Sequence, residues 1–233
     1  MSDIALGRTM SRQGAAEHAQ TWTRLGAATG ALSIVVVTIG YFLHGNYPMG
    51  KNGPAIVTWA AGVDQTRFTT GFYVELVGYL LFLAWAAWLW SVLRRPEQGT
   101  AWLAMTALVA ATLFIGISAL DDQLWVALLP GVHQGTAPQT LALLREAAER
   151  IFGISAFFSA LFTLLVGVVV LRTRSLPAWF GVTALVLGVA TLVPPIALPA
   201  SLLWEVCILL VSLYLLVRPV AGVPGGPGLI SAD

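Results

Sequence analysis

Long apolar runs separated by short polar segments make up most of this 233-residue chain. Six runs stand out, over residues 25–43, 71–93, 101–120, 151–171, 177–193 and 198–217. A helix needs about 20 mostly apolar residues to cross a hydrocarbon core of about 30 Å, and the runs meet or approach that length. Pro194 and Pro195 stop the fifth, which is the shortest. None of the runs carries a charged stripe along its length, as the helices of a soluble bundle would. None alternates over short segments, as the strands of a membrane barrel would. The pattern predicts an all-α fold, a polytopic transmembrane bundle of six spans within residues 23–218. Polar residues 1–22 predict a flexible cytoplasmic tail, and Gly/Pro-rich residues 219–233 a disordered one.

Two connections are long, about 44–70 and 121–148, and the turns at 94–100 and 172–176 are short. Long loops of this kind tend to be covers or lids. In the first, Ile56 to Ala61 reads as a segment dipping into the interface. In the second, Leu141 to Ala148 reads as a helical lead into span four, with Pro138 breaking the chain before it. The first span is too long for a signal-peptide core, and no small-residue cleavage site follows it, so it reads as a retained helix.

Composition agrees with lipid as the solvent. Charged residues are 10% and hydrophobic residues 58% of the chain, whereas a soluble surface needs roughly 25–35% charge. The net charge of +1 excludes a strongly basic nucleic-acid binder. The single Cys207 excludes an intrachain disulfide or a cysteine metal cluster. With the N-terminus inside, Arg8, Arg12, Arg24, Arg94, Arg95, Arg172, Arg174 and Arg218 fall on the inner side, and Lys51, Arg67, Arg145 and Arg150 on the outer. That bias places both termini in the cytoplasm by the positive-inside rule, in a cell (inner or plasma) membrane. Trp22, Trp90, Trp102 and Trp179 then belong near the inner interface, and Trp59 and Trp125 near the outer.

The second half carries a recognisable pattern. Leu144-Arg145-Glu146 precedes a helix with Gly153, Phe157, Phe158 and Gly167. Arg172-Thr173-Arg174-Ser175-Leu176-Pro177-Ala178-Trp179 follows, then Pro199-Ala200-Ser201-Leu202-Leu203-Trp204-Glu205 and a closing helix ending at Arg218. Over residues 140–218 this resembles the bacterial six-helix membrane family catalogued as domain of unknown function 4386. The resemblance implies six helices and implies no reaction.

Ionisable groups inside spans are costly and are functional candidates by default. Glu75 lies about five residues into span two and Glu205 about seven into span six, both below the outer boundary. Tyr79 follows Glu75 by four and Ser201 precedes Glu205 by four, so each pair shares a helix face. Asp121 and Asp122 end span three in this reading, where the helix dipole disfavours them. Arg145 and Arg150 are their expected partners. Glu146 and Glu149 suit a helix start, and His44 and Tyr47 close span one on the same side. Ionisable residues thus gather at the outer end, while the inner half has no comparable set.

Plainer readings stand beside these. Glu146 and Glu149 are more simply helix-start residues, Asp121 and Asp122 solvated or arginine-paired boundary residues, and His44 an interfacial side chain. Gly153, Gly167, Gly181 and Gly188 read as helix-packing positions. Trp85, Trp88 and Trp90 read as lipid-facing or interfacial. For Glu75 and Glu205, function and structural hydrogen bonding are both open, since a buried acid needs partners either way.

Two functions fit. One is a cofactor-independent intramembrane enzyme, an isomerase, cyclase or dehydratase of a lipophilic small molecule. Glu75, Glu205, Asp121 and Asp122 would be its acids and bases. Tyr73, Tyr79, Ser201, Trp204, Phe157 and His44 would line its pocket, and Arg145, Arg150 and Glu149 would balance charge. No metal or nucleotide signature is present, so neither cofactor is expected. The other is a non-catalytic membrane protein: a small carrier, a resistance or immunity factor, or a complex subunit. In both the bilayer is the expected partner, with no nucleic acid.

Overall fold

The computed structural model describes residues 2–94, 96–97 and 101–218, with side chains from Thr21 onward except those of Arg95, Gln98, Gly99, Thr100 and Pro194. The C-terminal tail expected over 219–233 lies outside the described residues. The fold is all-helical. Helix α1 spans Ser2–His44, α2 Gly53–Ala60, α3 Gln65–Leu93, α4 Trp102–His133, α5 Pro138–Thr173, α6 Ala178–Thr191 and α7 Ala197–Val217, with a 3-10 turn at Pro194–Ile196 before α7. Five segments are long and apolar enough to cross a membrane: Thr21–His44, Gln65–Leu93, Trp102–His133, Pro138–Thr173 and Ala197–Val217. The remaining expected span is α6, whose 14 residues rise only about 21 Å. Helical backbone begins at Ser2, where the polar stretch 1–22 predicts a flexible tail.

The long second loop is a correction. Residues 121–148 are mostly helix: α4 continues to His133, and α5 starts at Pro138, which occupies its first turn. Apolar Leu124, Trp125, Leu128 and Leu129 carry α4 on, and Trp125, Leu128 and Leu129 are fully buried. Asp122 lies about 30 Å along the helix from Trp102, near the span's boundary but not at the helix's end. The first loop holds α2, capped by the Asn52 side chain on the Ala55 amide.

In lipid the apolar faces of helices have no water to escape, so close van der Waals contact and interhelical hydrogen bonds hold a bundle together. Here α1 lies along α3, α4 along α5, and α5 along α6, with α7 closing against α1 and α6. The α1–α3 seam is lined by small residues. A Cβ on Gly71 would come within 2.6 Å of the His44 nitrogen, and one on Gly40 within 2.8 Å of the Gly71 carbonyl and the Glu75 nitrogen. Further along, Gly30 makes room for the Trp85 ring and Gly26 for Trp88. Trp85 is therefore a fully buried core residue, packed with Phe82 and Phe162, and not lipid-facing. Trp88 and Trp90 are half-buried, and Arg94 sits 4.4 Å over the Trp90 ring. Gly167, Gly181 and Gly188 bring α5 and α6 together, but Gly153 is exposed with open space around it and packs nothing. Trp22, Trp102 and Trp179 are exposed, as interfacial residues are, whereas Trp125 is wholly inside.

Two apolar clusters result. The larger fills the bundle around Trp85, Phe162, Phe180 and Trp204. The smaller lies at the α2 end, where Ile56 and Ala60 of α2 pack on Phe68, Phe72, Trp125, Leu128, Leu129, Leu141 and Ala148. The close approach at Gly71 predicts that Gly71→Ala loses about 1–3 kcal/mol, the usual cost of overpacking. Gly116→Ala, on an exposed helical glycine with nothing within 4 Å, should be neutral or gain up to about 1 kcal/mol. Chemical unfolding in mixed micelles compares the two, and equal losses would contradict the tight seam.

Candidate functional site

The glycine seam between α1 and α3 brings the last residue of one helix against the middle of the other. His44 and Glu75 are 5% and 6% exposed, and His44 Nε2 lies 3.1 Å from Glu75 Oε2. Tyr79, one turn on, donates its hydroxyl to Glu75 Oε1 at 2.9 Å, as the four-residue spacing predicts. Tyr47, just past α1, places its hydroxyl 3.2 Å from His44 Nε2. Both carboxylate oxygens of Glu75 are thus engaged by protein groups.

The other ring nitrogen determines the proton count. His44 Nδ1 lies 2.8 Å from the Gly45 carbonyl, which can only accept. Nδ1 therefore carries a hydrogen. Nε2 is then either a bare lone pair in a neutral ring or a second N–H in an imidazolium. A bare lone pair facing a carboxylate oxygen at 3.1 Å is repulsive, so in the favourable states one proton lies between the two groups. Either Glu75 is a neutral acid donating to a neutral ring, or the imidazolium donates to the carboxylate. Both forms are neutral overall, which burial demands.

Aromatic rings wall the pair. Phe72 stacks on His44 at 4.8 Å and 15° between planes, and Tyr47 stacks on it at 4.8 Å and 30°. Tyr47 lies in turn 4.9 Å from Trp125. The loop that carries Tyr47 is tied down. Trp59 Nε1 donates to the Asn46 carbonyl, and the Gly50 amide donates to Glu149 Oε1 at 2.7 Å. Burial pushes the Tyr47 phenol well above its ordinary value, and the neighbouring Glu75, Asp122 and Asp121 carboxyls add to the effect. Tyr47 therefore stays a hydroxyl donor.

Asp121 and Asp122 sit within α4 and are buried, at 6% and 5% exposure. Both are within electrostatic reach of Glu75, and Asp122 lies beside Tyr79. Among the described residues, Asp121 Oδ1 and, one turn on, Trp125 Nε1 are buried without a well-aligned hydrogen bond, the indole lying beside the carboxyl. Ser118, one turn before Asp121, is bonded to Ser155 of α5 at 2.6 Å. Two expectations about the aspartates are corrected. They do not face a helix C-terminus, because α4 runs twelve residues past Asp121. Nor do they pair with arginine: Arg145 holds Glu149 at 3.2 Å and Arg150 holds Glu146 at 2.7 Å, each one turn along α5. The helix offered those arginines closer acids at the favoured spacing.

Other expected pocket residues are dispersed. Glu205 is half-buried on α7, within electrostatic reach of Glu75 but outside its hydrogen-bonded cluster. Ser201 bonds back to the Ala197 carbonyl of its own helix, and Trp204 stacks on Phe180 at 5.3 Å in the main core. Tyr73 and Phe157 are 62% and 53% exposed and line no shared interior site. Tyr73 instead borders a shallow surface groove on α3 with Gln65, Thr66, Thr69 and Thr70. Glu97, which drew no attention in the sequence, is buried at the opposite end, where its carboxylate caps the Leu103 and Ala104 amides at the start of α4. Among the described residues, no three of His, Cys, Asp and Glu converge as a metal site.

The family model described as Domain of unknown function (DUF4386) matches residues 21–225. No curated protein matches the chain, and no solved structure does.

The shared proton predicts strong coupling between the two partners. His44→Ala strips Glu75 of its counterpart, and breaking a buried pair typically costs about 3–5 kcal/mol. A double-mutant cycle with Glu75→Leu should give a coupling of about 2 kcal/mol or more. Interhelical hydrogen bonds inside membrane proteins average roughly 0.6 kcal/mol, so a coupling at that level would reduce the pair to an ordinary contact.

Proposed function

The chain belongs to the DUF4386 family, and we propose that within it this multi-pass membrane protein performs intramembrane acid–base chemistry on a lipophilic small molecule. The observation that carries this reading is the buried His44–Glu75 pair, an imidazole nitrogen 3.1 Å from a carboxyl oxygen. Glu75 is the proton donor and His44 the group that returns the proton, with Tyr79 holding the carboxylate in place. A neutral acid in apolar surroundings can protonate a carbonyl, an epoxide or an alkene. Stacked rings such as Phe72 and Trp125 can steady the positive charge that results. Isomerisation, cyclisation and dehydration are the reactions this inventory serves, and none of them consumes a redox cofactor. Asp122 and Glu205 are further acids within electrostatic reach of Glu75.

In this reading the α2 end faces the outside of a cell membrane and both termini face the cytoplasm. The excess of arginine at the opposite end supports that orientation. A second reading has its own support. Glu75, Asp121, Asp122 and Glu205 come from three helices and feel one another's charge, the arrangement a small proton-coupled carrier would use.

Mass spectrometry of lipophilic molecules that co-purify with the protein tests the enzyme reading. Glu75→Gln keeps a hydrogen-bonding group and loses the acid, so it should retain a substrate that the wild type converts. Identical profiles in both proteins, with no loss of cellular phenotype, would sink it. Proton uptake into vesicles that stops in Glu75→Gln, with no chemical conversion, would favour the carrier. A reporter at the C-terminus checks the orientation, and an external signal would reverse the assigned sides.

A further inference from the structure

Nε2 of His44 has two neighbours, Glu75 Oε2 at 3.1 Å and the Tyr47 hydroxyl at 3.2 Å, yet it offers only one position along its lone pair. While the proton sits between His44 and Glu75, that position is filled. When the proton leaves, Nδ1 keeps its hydrogen on the Gly45 carbonyl. Nε2 is then a lone pair beside a carboxylate. In a water-free interior that juxtaposition is costly, and it would hold the proton in place unless another donor took over.

We infer that Tyr47 is a positioning residue that supplies the replacement donor, turning its O–H onto His44 Nε2 as the His44–Glu75 proton departs. This rests on the acid–base reading of the pair. In the transfer, an O–H or N–H bond of the pair breaks and a bond forms between that hydrogen and a carbonyl oxygen, epoxide oxygen or alkene carbon of the lipophilic substrate. The substrate gains one positive charge and the pair one negative charge, and nothing is oxidised. The charge left on Glu75 is held by the Tyr79 hydroxyl. Tyr47 makes no covalent change; its hydrogen only changes direction.

Three observations suit Tyr47 to this part. Its ring is fixed between His44 and Trp125, so only its hydroxyl is free to turn. Its loop is tied by Glu149 to the Gly50 amide and by Asn46 to the Trp59 indole. Its phenol is buried among acids and keeps its proton. The groups around the pair are Tyr41 on α1, Tyr79 on α3, Asp121 and Asp122 on α4 and Glu205 on α7, with Arg67 on the Phe42 carbonyl at the rim. Against these, Tyr47 brings its hydroxyl within 3.2 Å of Nε2.

The test uses the full chain in lipid nanodiscs with nitrogen-15-labelled histidine. The His44 Nε2 resonance and the infrared carboxyl band of Glu75 are followed against pH. Tyr47→Phe keeps the stacked ring and removes the hydroxyl. It should move the loss of the shared proton upward by about one pH unit, the equivalent of one hydrogen bond. Ile56→Ala, which opens a cavity in the neighbouring apolar cluster and takes no ring or hydroxyl from His44, should leave the transition in place while lowering thermal stability. An unmoved transition in Tyr47→Phe, with Glu75→Gln abolishing it, would overturn the role of Tyr47 and leave the acid–base pair standing. A transition unaffected by Glu75→Gln would remove the pair itself. An equal shift in Ile56→Ala, or a wild type that never releases the proton over its stable pH range, would also overturn the proposal.

Discussion

The buried His44–Glu75 pair depends on how closely α1 and α3 approach. Gly40 and Gly71 let the two backbones come together where any side chain would collide with main-chain atoms. That contact sets the His44 ring against the Glu75 carboxylate and fixes their separation. The same seam continues through Gly30, which accepts Trp85, and Gly78, which accepts Val37. Packing of this kind has no water-driven force behind it inside a bilayer, so surface fit and the buried His44–Glu75 pair carry the association. Small residues and an ionisable pair thus act together: the first makes the second possible.

The arrangement also accounts for the tolerance of so many acids in one place. Glu75 has a base and a phenol on its two oxygens. The arginines of α5 are occupied by acids of their own helix and leave the interior to neutral pairs. Carboxyls on α4 and α7 lie within electrostatic reach of this arrangement. Such a cluster is held by protons and by hydrogen-bond direction, and its properties follow from where a few hydrogens sit.

Much of the architecture was legible in the sequence. Uninterrupted apolar length marks each crossing helix, and the Glu75–Tyr79 contact follows from a spacing of four. Pro138, read as a break in the chain, stands in the first turn of α5. Asp121 and Asp122 misled because two charges in a row resemble the end of a span; only the packing of Trp125 and Leu128 beyond them shows that the helix continues. His44 could be read as an interfacial residue because its partner lies 31 residues away, across a crossing that depends on glycines no periodicity reveals. Trp85 looked peripheral for the same reason: its seat is Gly30, on another helix. Tyr73 and Phe157 were grouped with the acids by residue type, but helix rotation turns them outward.

The placement of the His–Glu pair on α1 and α3 bears on how the chain is made. Both helices precede α4 along the chain, and the pair completes itself within that hairpin. A membrane-insertion machine would meet a histidine and a glutamate that can neutralise each other before α4, with its two aspartates, has been built. The later acids then enter against a preformed neutral wall. The order of helices along the chain thereby removes an electrostatic obstacle at the step where a lone carboxylate would be hardest to carry into lipid.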